Sequence, residues 1–244
     1  MERVILVTGS SSGIGREIAR KLAYDYEVII HYNNSDKEAM KLKEELDRLY
    51  NKDIMVVKCD FSSEEEIDSM LEDIYKRYSN IDVLVNNAGI AIDTLVEDKT
   101  KENFIKTFEV NTIAPFLLMK KIGIKMKENK CGNIVNISST NGIDTIYPES
   151  LDYDASKAAL ISISNNMAQY LAPYVRVNTV CPGWTKTKMT SDLDSEFIME
   201  EESKILLGRF GNPEEVANVV KFLISDEASY INNSVIRVDG GVKC

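Results

Sequence analysis

Arg3-Val4-Ile5-Leu6-Val7-Thr8-Gly9-Ser10-Ser11-Ser12-Gly13-Ile14-Gly15 is the stretch whose reading decides the fold. Its first half is a short β-branched and aliphatic run, which reads as a buried strand. The run stops at Gly9, and a helix-like segment from Arg16 to Tyr24 follows Gly15. Glycines at 9, 13 and 15 permit a tight strand-to-helix turn. Such a turn lets backbone N–H groups approach a pyrophosphate and aims a helix N-terminus at it. As a bare pattern, G-x-x-x-G-x-G also fits a Gly/Ser turn that binds nothing. Its place, directly after the first strand and opening the first helix, points to a dinucleotide held by Gly9, Ser12, Gly13, Ile14 and Gly15.

Working outward, Glu27–Tyr32 is the second strand, and in a dinucleotide fold its end meets the adenosine ribose. An acid there would hold both ribose hydroxyls and repel a 2′-phosphate. This chain has Tyr32-Asn33-Asn34-Ser35, with no acid until Asp36. That favours NADP(H) over NAD(H). No arginine stands at Ser12 or Asn33 to clamp a phosphate, which leaves Lys37 as a substitute. Ile54–Asp60 is the third strand, with Asp60 and Phe61 at its end beside the adenine. Ser63 followed by Glu64, Glu65 and Glu66 reads as a helix cap with acids in the first turn. Ile81–Val85 is the fourth strand and runs into Asn86-Asn87-Ala88-Gly89, small residues that let backbone lie against the cofactor. Residues 103–127 read as one long helix carrying Asn111 and Pro115, a combination that suggests a kink. Asn133–Ser139, Val175–Val180 and Val235–Val238 are the remaining strands, the sixth stopped by Pro182-Gly183. Residues 185–207 read as a lid with short helices. Strands alternating with helices at this spacing give α/β architecture: one doubly wound Rossmann domain over residues 1–244, a seven-stranded parallel sheet with helices on both faces.

A second stretch carries the chemistry. In Asp152-Tyr153-Asp154-Ala155-Ser156-Lys157, the spacing of Tyr153 and Lys157 puts both side chains on one face of a helix. A phenol is a weak acid, with an ordinary pKa of about 10. An ammonium within roughly 4–6 Å favours the phenolate, and that makes a tyrosine useful as a general acid or base. Taken alone, the same pair decorates many solvated helices.

Composition narrows the function. The 244 residues are 44% hydrophobic and 28% charged, an ordinary globular balance. No apolar run approaches the ~18 residues of a membrane span. Met1-Glu2-Arg3 leads straight into Val4–Val7, too short an apolar run for a signal peptide, so a cytoplasmic protein is expected. The four cysteines form no C-x-x-C pair, and His31 is the single histidine. Zinc sites of the multi-histidine kind are therefore impossible and no metal is expected. A net charge of −10 disfavours nucleic acid and anionic membrane as partners.

Five motifs stand in one order: Thr8-Gly9-x-x-x-Gly13-x-Gly15, Asn86-Asn87-Ala88-Gly89, Ser139, Tyr153-x-x-x-Lys157 and Pro182-Gly183-x-x-x-Thr187. Together they resemble the short-chain dehydrogenase/reductase family across essentially the whole chain. The tail, with Gly208-Arg209-Phe210-Gly211 and Val238-Asp239-Gly240-Gly241, looks most like its 3-oxoacyl-[acyl-carrier-protein] reductase branch. The resemblance implies that Tyr153 donates a proton to the substrate oxygen while nicotinamide delivers hydride to the carbon. It implies that Lys157 lowers the Tyr153 pKa and binds the nicotinamide ribose, and that Ser139 hydrogen-bonds the same oxygen. Asn111 would hold a proton-relaying water, and Asn87, Ala88, Gly89, Pro182, Gly183, Thr185 and Thr187 would bind cofactor, the last two at the carboxamide. Blander readings make Ser139 a strand-end serine, Asn111 a kink and Thr187 a helix cap; Ser138 is the rival serine.

The chain also departs from that pattern. Ser139 and Tyr153 lie one residue further apart than expected, so the loop 143–152 carries an insertion. Glu149, Asp152 and Asp154 flank the tyrosine and oppose phenolate formation, though Asp152 also reads as a helix cap. The turn before the sixth strand lacks a basic residue for a carrier protein, leaving Lys130 as one candidate. Asp192, Asp194, Glu196 and Glu200–Glu202 make the lid a poor match for an acidic carrier. The expected substrate is a 3-oxoacyl thioester. The alternatives are a small alcohol, sugar or steroid, or a non-catalytic role in sensing dinucleotide. Ile90, Ile143, Tyr147, Trp184 and Met189 are expected to line the pocket. A homotetramer, or a dimer, is the family-level expectation.

Overall fold

The computed structural model describes residues 3–191 and 193–242, with the Met189 side chain left out. Met189 as a pocket residue and Asp192 as a lid acid therefore lie outside the described residues. In chain order the elements are β1 (Val4–Val7), α1 (Gly13–Leu22), β2 (Glu27–Tyr32), α2 (Asp36–Tyr50), β3 (Met55–Lys58), α3 (Glu64–Arg77) and β4 (Val83–Asn86). Then follow α4 (Lys101–Phe108), α5 (Ala114–Glu128), β5 (Gly132–Ile137), α6 (Leu151–Leu171), β6 (Val175–Pro182), α7 (Ser195–Lys204), α8 (Pro213–Ile224) and β7 (Val235–Val238).

Among the described residues seven strands form one parallel sheet in the order β3-β2-β1-β4-β5-β6-β7. Every crossover is long enough for a helix, so both faces are covered, and that is why the strands read as unbroken apolar runs rather than alternating ones. Alternation persists in what each side chain meets. Ile5 and Val7 face α1, α2 and α8 with Ile18, Leu42 and Val220, whereas Leu6 faces the opposite layer with Leu118, Ile122 and Leu160. All of these are buried. No helix of the described residues is long and apolar enough to cross a membrane.

Chain order fixes where a ligand can sit. The strands run outward from β1 to β3, then the chain returns to lay β4 on the other side of β1, with Val7 opposite Val85. At that switch point the loops leaving β1 and β4 turn to opposite faces and open a crevice at their carboxyl ends.

The long helix read over 103–127 is interrupted. Glu109–Ile113 is a π turn between α4 and α5. Pro115 has no N–H to give the carbonyl of Asn111, and the Ala114 N–H reaches back five residues to Glu109 O. The read kink is thus a widened turn, and Asn111 sits in its middle.

Candidate active site

Thr8 ties the glycine turn to the loop after β4. Its N–H donates to Val85 O at 3.0 Å, and its Oγ1 accepts the N–H groups of Asn87 and Ala88 at 2.9 and 3.0 Å. The Asn87 amide donates back to Thr8 O at 2.9 Å. This closure leaves no room at Gly15, where a Cβ would lie 2.3 Å from Asn87 Nδ2 and 2.5 Å from Gly9 O. Gly15 itself does not reach the cavity; Gly9, Ser12, Gly13 and Ile14 line it. His31 holds the turn from the other side. Its Nδ1 accepts the Gly9 N–H at 2.9 Å, which places the ring proton on Nε2, 3.1 Å from Cys59 O. The ring stacks on Phe61 at 4.2 Å. Burial pulls its pKa down to about 4, so the imidazole is neutral at physiological pH.

The crevice is a cavity of about 1060 Å³. Tyr32, Asn33, Asp60 and Phe61 line one end, Asn87, Ala88 and Gly89 its floor, and Pro182, Gly183, Thr185 and Thr187 the wall that leads toward the lid. Asp36 does not face it, since its carboxylate accepts the Tyr32 hydroxyl at 2.9 Å. Lys37 does not line it either. Thr187 lies over the glycine turn, its methyl 3.5 Å from where a Gly13 Cβ would stand, and its N–H donates to Thr190 Oγ1 at 3.0 Å. It caps a 3₁₀ turn and lines the cavity at once.

Ser139, Tyr153 and Lys157 meet in the same cavity. Ser139 follows the end of β5, and α6 presents Tyr153 in its first turn and Lys157 one turn later. The Lys157 ammonium is 5.5 Å from the Tyr153 ring centre and donates to Ile137 O at 3.0 Å. Ser138 turns the other way and donates to Lys157 O at 2.8 Å, fastening α6 to β5. Ser139 is the serine that acts on the phenol, its hydroxyl pulling the Tyr153 pKa down. The expectation that Lys157 lowers the phenol is not met. Burial pushes Tyr153 up to about 12, the charges of Asp154 and Asp93 add to it, and only the Ser139 hydroxyl acts against them. Burial likewise pulls Lys157 down to about 8.

Asn111 does not line the cavity. Its amide donates to Ile90 O and Ser156 Oγ at 2.8 and 3.0 Å and accepts the Ile90 N–H at 2.8 Å. The side chain is a clamp between the loop after β4 and α6. Asp152 is no helix cap. It is fully buried, pairs with the nearly buried Lys99 at 2.7 Å and accepts Thr107 Oγ1 at 2.8 Å. Burial alone would raise its pKa, but these two partners hold it below the usual carboxylate range.

On the substrate side Ile90, Tyr147 and Trp184 line the cavity, while Ile143 is exposed and does not. Glu201 was not singled out by sequence. Only 4% exposed, its carboxylate accepts Tyr147 Oη at 2.5 Å, Trp184 Nε1 at 3.0 Å and Lys204 Nζ at 2.6 Å. Within a run of lid acids nothing local marks the one that turns inward. His31 and Lys99 were missed for the same reason: their partners are remote in sequence.

The residues present fit a nicotinamide dinucleotide. The cavity runs unbroken from Asp60 to Tyr153, and its floor is held down to glycine: a Cβ on Gly89 would stand 3.3 Å from both Lys157 Nζ and Asn111 Oδ1.

Comparison with known proteins agrees. Residues 9–243 match a family model described as enoyl-(acyl carrier protein) reductase. The chain is 42% identical to the 3-oxoacyl-[acyl-carrier-protein] reductase FabG of Aquifex aeolicus over 98% of this chain and 97% of that one. It is 37% identical to the Thermotoga maritima protein of the same name, again over 98% and 97%. Among solved structures, the acetoin dehydrogenase YohF of Salmonella typhimurium superposes with a TM-score of 0.89 at 30% identity, covering 99% of this chain and 96% of the other.

Proposed function

The chain belongs to the short-chain dehydrogenase/reductase family and is an NAD(P)-dependent oxidoreductase; from that premise we propose that it reduces the 3-oxo group of an acyl thioester, with NADP(H) preferred. The observation that carries the chemistry is that a serine hydroxyl, a phenol and a buried ammonium, those of Ser139, Tyr153 and Lys157, line the cavity that begins at the glycine turn. A carbonyl oxygen gaining charge needs donors within reach: Tyr153 is one, and the Ser139 hydroxyl, which here donates to Asn141 Oδ1, becomes the second by rotating toward the substrate oxygen. The bound nicotinamide supplies the hydride. Tyr153 gives its proton to the developing alkoxide, and Ser139 steadies the same oxygen. A phenol held high by burial is a reluctant base but a competent proton donor to an alkoxide. Lys157 sits one helical turn behind it, buried and anchored on Ile137 O, as the ribose ligand and the next proton carrier. Asn111, whose side chain clamps Ile90 to Ser156, is read as holding a water that relays protons to Lys157.

The end of β2 supports NADP(H): Ser12, Asn33, Asn34 and Ser35 line the cavity without a carboxylate among them, and Asp36 is turned away. The thioester comes from the relatives, two of which are named as 3-oxoacyl-[acyl-carrier-protein] reductases. A second reading, a small hydroxyketone or alcohol, has the acetoin dehydrogenase likeness and the acidic lid in its favour. Catalysis is favoured over dinucleotide sensing by the presence of both Tyr153 and Lys157. A cytoplasmic tetramer completes the reading, with Ile113 of the π turn and Phe116 of α5 exposed as apolar contact surface.

Steady-state assays with acetoacetyl thioesters test this directly. Turnover is expected, with NADPH bound more tightly than NADH. Tyr153→Phe is expected to lower it by more than ~100-fold while cofactor titrates as before. Reduction of small ketones with no 3-oxoacyl thioester accepted would replace the first reading by the second.

A further inference from the structure

A continuous string of hydrogen bonds runs from Ser139 to the lid. The Ser139 hydroxyl and Asn141 Oδ1 are 3.0 Å apart, and since an amide oxygen only accepts, the serine donates. The Asn141 N–H donates back to Ser139 Oγ at 3.2 Å. Asn141 Nδ2 donates to one oxygen of Asp154 at 2.7 Å, and the Tyr147 N–H donates to the other at 3.2 Å. Tyr147 Oη then donates to Glu201 of α7 at 2.5 Å, where Trp184 Nε1 joins both at 3.0 Å.

We propose that Asp154 is a positioning residue that couples the lid helix α7 to the Ser139 hydroxyl. An ionised carboxylate only accepts hydrogen bonds, so it fixes which way the Asn141 amide faces: NH₂ toward Asp154, oxygen toward Ser139. That orientation in turn decides where the single proton of Ser139 points. The second carboxylate oxygen anchors the backbone of the inserted loop, whose Tyr147 is the group that meets the lid. One side chain, in the first turn of α6 beside Tyr153, thus links a group proposed to touch substrate with the helix that closes over it. The latch is enclosed: Trp184 stacks on Phe210 at 5.5 Å and meets Tyr147 and Phe197 edge-on at 5.6 Å each. Movement of Glu201 is therefore felt at Tyr147 before it is lost to solvent. The inference rests on the proposed role of Ser139 as a donor to substrate oxygen.

Two readouts test it. Trp184 is the chain's single tryptophan, so its emission reports the latch without turnover. Glu201→Gln and Asp154→Ala are each expected to shift that emission to the red, with cofactor affinity unchanged within about twofold. Unchanged emission in Asp154→Ala overturns the coupling. For kcat, each single variant is expected to lose about tenfold, and the double variant little more than Asp154→Ala alone, because a cut string has nothing left to transmit. Multiplied losses, about a hundredfold in the double variant, would mean independent roles and sink the proposal. If Asp154→Ala does not fold, Asp154→Asn keeps the shape without fixing the amide and takes its place in the cycle. Should the wild type reduce no carbonyl at all, the functional reading fails, and the emission shift still decides the coupling.

Discussion

The two ends of the cavity are fixed by different kinds of contact. Around the glycine turn the decisive hydrogen bonds end on backbone: Thr8, Asn87 and His31 each use a side chain to hold a main-chain group. Across the substrate mouth side chain meets side chain, as in Asn141 with Asp154, Tyr147 with Glu201 and Lys99 with Asp152. The first kind suits a ligand whose shape is constant, since backbone cannot be re-aimed by a single substitution. The second lets the pocket change while the fold stays, which matches relatives and neighbours named for different substrates on one scaffold.

If side-chain pairs really carry the substrate end, breaking the most buried one should be costly. Lys99 and Asp152 are 4% and 0% exposed. Lys99→Met strands a carboxylate in the interior at the start of α6 and is expected to cost about 3–5 kcal/mol in denaturant unfolding. Lys99→Met with Asp152→Leu should recover most of that, because an apolar pair avoids the stranded charge. A loss below ~1 kcal/mol in the single variant would show that the pair does not hold this wall.

The same division explains what could be read from sequence. Val4–Val7 followed by glycines, or Tyr153 one helical turn before Lys157, are local patterns, and local patterns determine strands, turns and helix faces. Doubly wound topology followed from the alternation alone. Glu201 was hidden because its partner Tyr147 lies 54 residues away. Asp152 was misread as a cap because capping is the local alternative, and its real partner is in the loop after β4. The π turn was partly legible: Pro115 marked a disturbance, but whether a helix bends or widens depends on what the freed groups meet. The ionisation of Tyr153 was misjudged for a related reason. Spacing shows that Lys157 is near, and only the fold shows how deeply both are buried.

His31 tests the backbone-built end through pH. Its folded pKa, about 4, is depressed below the ordinary 6.5, so the unfolded chain binds a proton that the folded chain refuses between these values. Stability from this group is full above pH 6.5 and is lost as pH falls toward 4, by about 3 kcal/mol in total. Burial raises the Asp154 carboxyl, which acts in the opposite direction. The difference between wild type and His31→Asn therefore isolates the histidine. Equal pH slopes in the two between pH 6.5 and 4.5 would mean that the imidazole is not held neutral against the Gly9 N–H.

The glycine turn itself offers the finest distinction, between shape and conformation. Gly13 has φ +55°, and a Cβ there would touch only the Thr187 side chain at ordinary contact distance. Gly13→Ala thus carries chiefly the left-handed backbone penalty, about 1–2 kcal/mol. Gly15 has no positive φ, yet its Cβ would collide with the Gly9 carbonyl at 2.5 Å. Relief requires the turn to shift, at about 1–3 kcal/mol, and the shift moves the amides proposed to face a pyrophosphate. Gly15→Ala is accordingly expected to weaken dinucleotide binding at least tenfold more than Gly13→Ala at a similar loss of stability. The reverse order in a cofactor titration would mean that the turn is held by its dihedral angles rather than by Thr8 and Asn87 closing it from below.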